Sequence, residues 1–196
     1  MHRVLTLSLL LFAINLSAQP KLSLIFQKET QILDEQGIEN TTHSEPKLYY
    51  LNLTKTVSEY FLVTEGVVDN KEQYIPSGFL YKNLLLNTYT KQVKQDEYVH
   101  ETLPKLDWIL KPESKKILGY TVKKAVLDIS PEKQVTAWYS NLTYQNGPEN
   151  YHRLPGLIME IVETVKLNGT TQVTKLTAIS LEMLKDSKQI KDPTEM

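Results

Sequence analysis

The chain has 196 residues, with 22 Lys+Arg against 23 Asp+Glu and a formal net charge of −1, so no charge excess marks it for nucleic acid or an anionic membrane. Hydrophobic residues make up 41% and charged residues 23%, a globular composition rather than a disordered or collagenous one. Cysteine is absent, which excludes a disulfide framework, thiolate metal ligands, a cysteine nucleophile and anchoring through a lipidated cysteine.

The first predicted element is an export signal. Met1, His2 and Arg3 open it, an apolar run over 4–16 follows, and Ser17-Ala18 form a small-residue exit before Gln19-Pro20. Residues 1–18 therefore read as a signal peptide cleaved after Ala18. The apolar run falls short of the roughly 20 residues a membrane-spanning helix needs, and no later stretch does better, so an integral membrane protein is not expected. No repeat, low-complexity tract or Gly/Ser-rich linker divides residues 19–196, and one domain is expected there.

Alternation then dominates. Leu22, Leu24 and Phe26, and again Tyr49, Leu51 and Leu53, follow the period of half-buried strands. Further strands are expected over 59–65, 79–85, 88–94, 97–102, 116–127, 134–140, 157–167 and 170–181, and helical periodicity is nearly absent. Spacing this short favours an antiparallel sheet over βαβ units. The polar stretch 34–46, ending at Pro46, reads as a loop. Asn168-Gly169 offers the two positive-φ residues of a type I′ hairpin turn. Asn146-Gly147 is followed by Pro148, which cannot donate to a ladder, so a loop is expected there. The charged tail 182–196 reads as a frayed end or a short helix.

Catalytic chemistry is sparse. His43, His100 and His152 have no partners at metal-ligand spacing, so no metal and no cofactor is predicted; a solvated loop accounts for His100 beside Glu101. There is no glycine-rich phosphate loop and no GxSxG elbow. The sequons at Asn40, Asn52, Asn141 and Asn168 are what an Asn- and Thr-rich chain yields by chance. In the apolar turn Leu154-Pro155-Gly156-Leu157-Ile158, Pro presets φ and Gly permits a positive φ at the third position of a type II turn. Either the turn enters a buried strand or its flank meets a ligand or partner. Alternation places Glu160 on the face of Ile158 and Val162, with Lys124 as a plausible cross-sheet cation. No nucleophile or second acid converges on it, and no catalytic residue is assigned. Trp108-Ile109 and Trp138-Tyr139 suit a ligand cleft and a packed core equally well.

In order, the blocks Leu106-Asp107-Trp108-Ile109, Lys116-Ile117-Leu118-Gly119-Tyr120 with Lys124-Ala125, Ala137-Trp138-Tyr139, Gly147-Pro148 and Leu154-Pro155-Gly156-Leu157-Ile158 with Glu160 resemble the GLPGLI family of exported Bacteroidota proteins, over about residues 45–185. Arg153 stands where the first glycine of the family's name would be, and Val122 where relatives often carry cysteine. The resemblance implies the periplasm or cell surface and brings no established activity. The fold expected is mainly β: one strongly curved, open antiparallel sheet, a half-barrel like the periplasmic lipoprotein carriers of the LolA type, with few short helices. This is an analogy of fold only. The function expected is an exported, non-enzymatic envelope protein binding a lipid-like or peptide ligand in the curved sheet. The alternatives are a structural partner of an outer-membrane protein such as a transporter, and a hydrolase built on Glu160. The residues carrying these expectations are Trp108, Gly119, Tyr120, Lys124, Trp138, Tyr139, Leu154, Pro155, Gly156, Leu157, Ile158 and Glu160.

Overall fold

In the computed structural model the described residues are 20–34, 39–40, 45–68, 71–94, 96–185 and 189–195. The predicted leader over 1–18 and parts of the 34–46 loop lie outside them. Twelve strands form one sheet: β1 (Lys21–Leu33), β2 (Glu39–Asn40), β3 (Lys47–Leu53), β4 (Val57–Val68), β5 (Lys71–Asn83), β6 (Thr88–Lys94), β7 (Glu97–Thr102), β8 (Ile109–Ile117), β9 (Tyr120–Asp128), β10 (Lys133–Tyr139), β11 (Ile158–Leu167) and β12 (Thr170–Leu184). The order is β7-β6-β5-β4-β3-β1-β12-β11-β10-β9-β8, with β2 pairing β1 off the path, and the pairings are antiparallel. The sheet is not closed into a barrel.

Connectivity forces the sheet to curl. The edge strand β7 ends at Thr102 and the opposite edge β8 begins at Ile109. At roughly 4.8 Å per strand a flat sheet of this order would hold its edges about 50 Å apart, whereas the chain between those residues reaches at most about 25 Å. Residues 103–108 also run the length of the gap, since Thr102 pairs with Thr88 at one end of the sheet and Ile109 with Val126 towards the other.

The alternating residues meet on the concave side. Leu22, Leu24 and Phe26 of β1, Leu51 and Leu53 of β3, Tyr60 of β4, Val135 and Ala137 of β10, Met159 and Ile161 of β11, and Leu176 and Ala178 of β12 belong to one buried cluster. Residues 140–157, between β10 and β11, pack into it, contributing Tyr144, Tyr151, Leu154 and Leu157. Backbone bonds hold this segment: Ser140 N to Leu157 O at 2.8 Å, Leu157 N to Leu142 O at 3.0 Å and Ile158 N to Asn146 O at 2.9 Å. The chain therefore plugs the apolar half of its own concavity.

Three local expectations are corrected. The stretch 116–127 is not one strand: Leu118 (φ 48°) and Gly119 (φ 81°) make a hairpin turn between β8 and β9. A leucine in the left-handed region hides that turn, because such positions ordinarily take Gly, Asn or Asp. The tail is not frayed from residue 182, since β12 runs to Leu184 and Ile190 and Asp192 are buried. Thr90 Oγ1 donates to Asp192 Oδ2 at 2.7 Å, and a single 3-10 turn follows at Pro193–Glu195. His100 lies in β7 rather than a loop, its Nδ1 2.9 Å from Thr90 Oγ1. The Asn168-Gly169 hairpin forms as expected, with φ of 37° and 80°, and Asn146-Gly147 opens a loop. Among the described residues no helix is long and apolar enough to cross a membrane.

Candidate functional site

Beyond the plugged floor the concave face turns polar. Lys28 and Thr30 continue the inward phase of β1, opposite Leu176 and Thr174 of β12, and Glu163 of β11 lies opposite Thr174 and Val135. The segment 140–157 brings Glu149 and Tyr151 to the same place. Lys28 Nζ is 2.7 Å from Glu149 Oε1, Lys133 Nζ is 3.2 Å from Glu163 Oε2, and the Tyr151 hydroxyl donates to Glu163. Lys28 also lies over the Tyr49 ring at 5.7 Å, and that ring stacks on Tyr60 at 5.1 Å. Burial alone would lower the Lys28 pKa, but the Glu149 carboxylate outweighs it and holds the ammonium above its ordinary value. Burial, with the Glu163 carboxylate second, pushes the Tyr151 phenol up. Beside this cluster a cleft of about 480 Å³ opens, lined among others by Leu106, Asp107, Ile129, Lys133, Tyr151 and Glu163.

Beneath the mouth lies a second polar group. Lys82 of β5 is 0% exposed, and its Nζ donates to the carbonyls of Gly147 at 2.6 Å and Tyr151 at 3.3 Å. Burial draws its pKa down to about 7. His152 is also fully buried, and neither ring nitrogen has a hydrogen-bond partner. Burial, then the charges of Lys82 and Arg153, lower its pKa to about 4; the Pro104 carbonyl pulls the other way without reaching hydrogen-bond geometry. A neutral imidazole sealed in the core cannot reach a substrate.

The residues singled out in the sequence fall into three places. Trp108 closes the strap between the sheet edges: its Nε1 donates to His152 O at 3.0 Å and its ring tilts against Tyr151 at 6.1 Å. Tyr139, Leu154, Leu157 and Ile158 are core, and Pro155 is exposed. Gly156 has no positive φ, contrary to the type II turn expected. Glycine is required there because an added Cβ would come within 1.7 Å of the Ser140 carbonyl oxygen. The left-handed residue of this turn is Arg153, at φ 64°. Gly119 and Tyr120 sit at the β8–β9 turn, away from both polar groups.

Trp138, Lys124 and Glu160 form a cross-strand row on the convex face, but Lys124 is not the partner of Glu160. Glu160, with a side chain 5% exposed, pairs with Lys115 at 2.5 Å and Lys175 at 3.8 Å and accepts from Thr177, while Lys124 turns to Glu113 at 3.3 Å. Lys115 also covers the Trp138 ring at 4.4 Å. Sequence reading missed Lys28, Lys82, Lys133, Glu149, Tyr151 and Glu163. Charges at inward positions, such as Lys82 two residues after Leu80 and Glu163 two after Ile161, were the available signal. Among the described residues no three His, Asp or Glu side chains gather as a metal cluster.

The family model described as "N-glycanase peptide, N-terminal domain" matches residues 64–195, more than half of the chain. The chain belongs to this family. Two solved structures of PNGF-II agree in fold with this N-glycanase N-terminal domain: the C2 crystal form at TM-score 0.56 and 21% identity over 86% of this chain and 28% of that one, and the P21 form at TM-score 0.59 and 21% identity over 91% and 30%. The chain thus spans about three tenths of the length of PNGF-II. An uncharacterized conserved protein from Thermus thermophilus aligns more loosely, at TM-score 0.45 and 8% identity over 87% of this chain and 82% of that one. No curated protein matches the sequence.

Proposed function

We infer that this family member is an exported, non-catalytic β module, working as one domain over residues 19–196, that holds a peptide, bare or glycosylated, at the polar mouth of its curved sheet. The observation that carries this reading is the division of the concave face. Its apolar half is packed by residues 140–157, which leaves a lipid-like ligand no open apolar floor. Its polar half offers a cleft of about 480 Å³ beside Tyr151 and Glu163. Convergent polar groups at such a mouth suit a ligand rich in amides and hydroxyls. Membership of a family described as an N-glycanase domain favours a glycosylated peptide among such ligands.

The state of the titratable groups supports a non-catalytic role. Glu149, Glu160 and Glu163 are each engaged by lysines, the Tyr151 phenol is held protonated, and His152 is buried. Among the described residues these groups are held in ion pairs or sealed from solvent, which favours holding a ligand over exchanging a proton with it. The leader over 1–18 and the blocks resembling exported GLPGLI proteins favour the periplasm or cell surface. Docking through the free edge β8 to an outer-membrane partner is less favoured, because Pro112, the bulge between Leu110 and Ser114 and a run of charges guard that edge.

Chemical-shift mapping tests the reading. An N-glycosylated peptide of about six residues should shift Tyr151, Glu163, Lys133 and the 104–107 strap, and a fatty acid should leave them unmoved. Shifts confined to other surfaces, or none with any peptide, would refute it.

A further inference from the structure

Among the described residues, the buried side-chain polar atoms without a hydrogen-bond partner fall on two stretches of chain, β4 and the segment 146–152. They are Ser58 Oγ and Tyr60 OH on β4, and Asn146 Nδ2, Asn150 Oδ1 and both His152 ring nitrogens in the segment packed over it. Folded proteins bond nearly all such atoms, so a concentration of them calls for a physical cause. Ser58 lies opposite Lys82 in the β4–β5 pairing and Tyr60 opposite Leu80, which puts Ser58, Tyr60 and Lys82 on the same inner face. Asn146 and His152 face each other across an isolated bridge. Lys82 joins the two halves through Gly147 O and Tyr151 O, the neighbours of Asn146 and His152. Ser58, Lys82, Asn146 and His152 are all 0% exposed, and Tyr60 is 3% exposed.

The unused hydrogens are one N–H on Lys82, two on Asn146 Nδ2, one O–H each on Ser58 and Tyr60, and one N–H on neutral His152. Against them stand the Asn150 carbonyl oxygen, one imidazole nitrogen and the lone pairs of the two hydroxyl oxygens. Hydroxyls can satisfy one another, but the buried Lys82 ammonium has only neutral carbonyls as partners: among the described residues no carboxylate touches it, and Glu149 acts on it only through space. A buried charge demands a countercharge or the loss of its proton. We propose that the segment 146–152 and the inner face of β4 and β5 enclose a site for a small monovalent anion, of halide to formate size, held by Lys82, Ser58, Tyr60 and Asn146. The anion supplies the missing countercharge and accepts the idle donors. By tying the segment to β4 and β5 it also fixes Glu149 and Tyr151 at the mouth.

Bromide is the probe. The full chain, refolded and crystallised in sodium bromide, should show an anomalous peak within hydrogen-bond distance of Lys82 Nζ and at least one of Ser58 Oγ, Tyr60 OH and Asn146 Nδ2. In solution the melting temperature should rise by about 4 °C for each tenfold increase in bromide above its dissociation constant, measured against gluconate, a monovalent anion too large for the site, at equal ionic strength. Lys82→Met should abolish the rise. Tyr60→Phe and Ser58→Ala, which remove a donor but no charge, should each reduce it, and they decide the matter if Lys82→Met does not fold. Ordered water alone on those atoms overturns the proposal. So does an adventitious ion only, meaning a bromide peak without bromide-dependent stabilisation.

Discussion

The carbonyl oxygen of Ser140 occupies the space that a Cβ on Gly156 would need. The chain crosses itself there at backbone contact, and the crossing locks both ends of the segment that plugs the sheet. Replacing Gly156 by Ala should therefore remove about 3 kcal/mol or more of stability, or prevent folding, as overpacking against rigid backbone does. Gly119→Ala should remove only about 1–2 kcal/mol, because open space surrounds that position and only its φ of +81° is strained. Urea unfolding of the two variants measures the difference, and equal losses would contradict the crossing.

Lys82 predicts an alkaline gain. Its pKa falls from 10.5 to about 7 in the folded chain, so between those values the unfolded chain binds a proton that the native chain does not. Stability should rise from pH 7 towards pH 10 in halide-poor buffer, with a slope approaching about 1.4 kcal/mol per pH unit. Lys82→Met should lack this rise. Denaturant midpoints across that range check the sign.

His152 predicts an acid limb. Its pKa drops from 6.5 to about 4, so its contribution is complete above pH 6.5 and is lost as pH falls towards 4. Against His152→Gln, the parent protein should lose stability faster between pH 6.5 and 4. Parallel profiles would mean that the imidazole is solvated.

The fold was legible where periodicity is local. Leu22, Leu24 and Phe26 mark an inward phase that the sheet keeps, and Asn168-Gly169 marks its hairpin. The polar mouth was not legible because register decides it: Lys28 meets Glu149, and Tyr151 meets Glu163, only once β1, β11 and the plug are in place. Chain proximity was equally misleading for Glu160. Strict alternation puts Glu160 on the face of Ile158, but a bulge beside Trp138 and Tyr139 turns Ile158 into the core and leaves Glu160 on the convex face; Lys124 stands in its row, yet β8, concealed by the left-handed Leu118, delivers Lys115 instead. The glycine of the apolar turn suggests a positive φ it does not adopt, while the crossing that requires it joins residues 140 and 156.

That exchange of partners sets a further expectation. In double-mutant cycles Lys115–Glu160 should couple by about 1 kcal/mol, discounted because the Lys115 side chain is 35% exposed. Lys124–Glu113 should couple more weakly, since the Glu113 side chain is 50% exposed and surface pairs of this kind are screened by solvent. A Lys124–Glu160 coupling larger than both would restore the pairing expected from the sequence.

The central claim is that the chain holds a peptide at the polar mouth without transforming it. Native mass spectrometry of the purified protein with an N-glycosylated peptide, followed by analysis of the recovered peptide, tests this most directly. The account predicts a complex of intact ligand mass that Glu163→Gln and Lys133→Ala weaken, with the peptide recovered unchanged. Recovery of free glycan and a peptide converted from Asn to Asp, in proportion to enzyme and time, would contradict it.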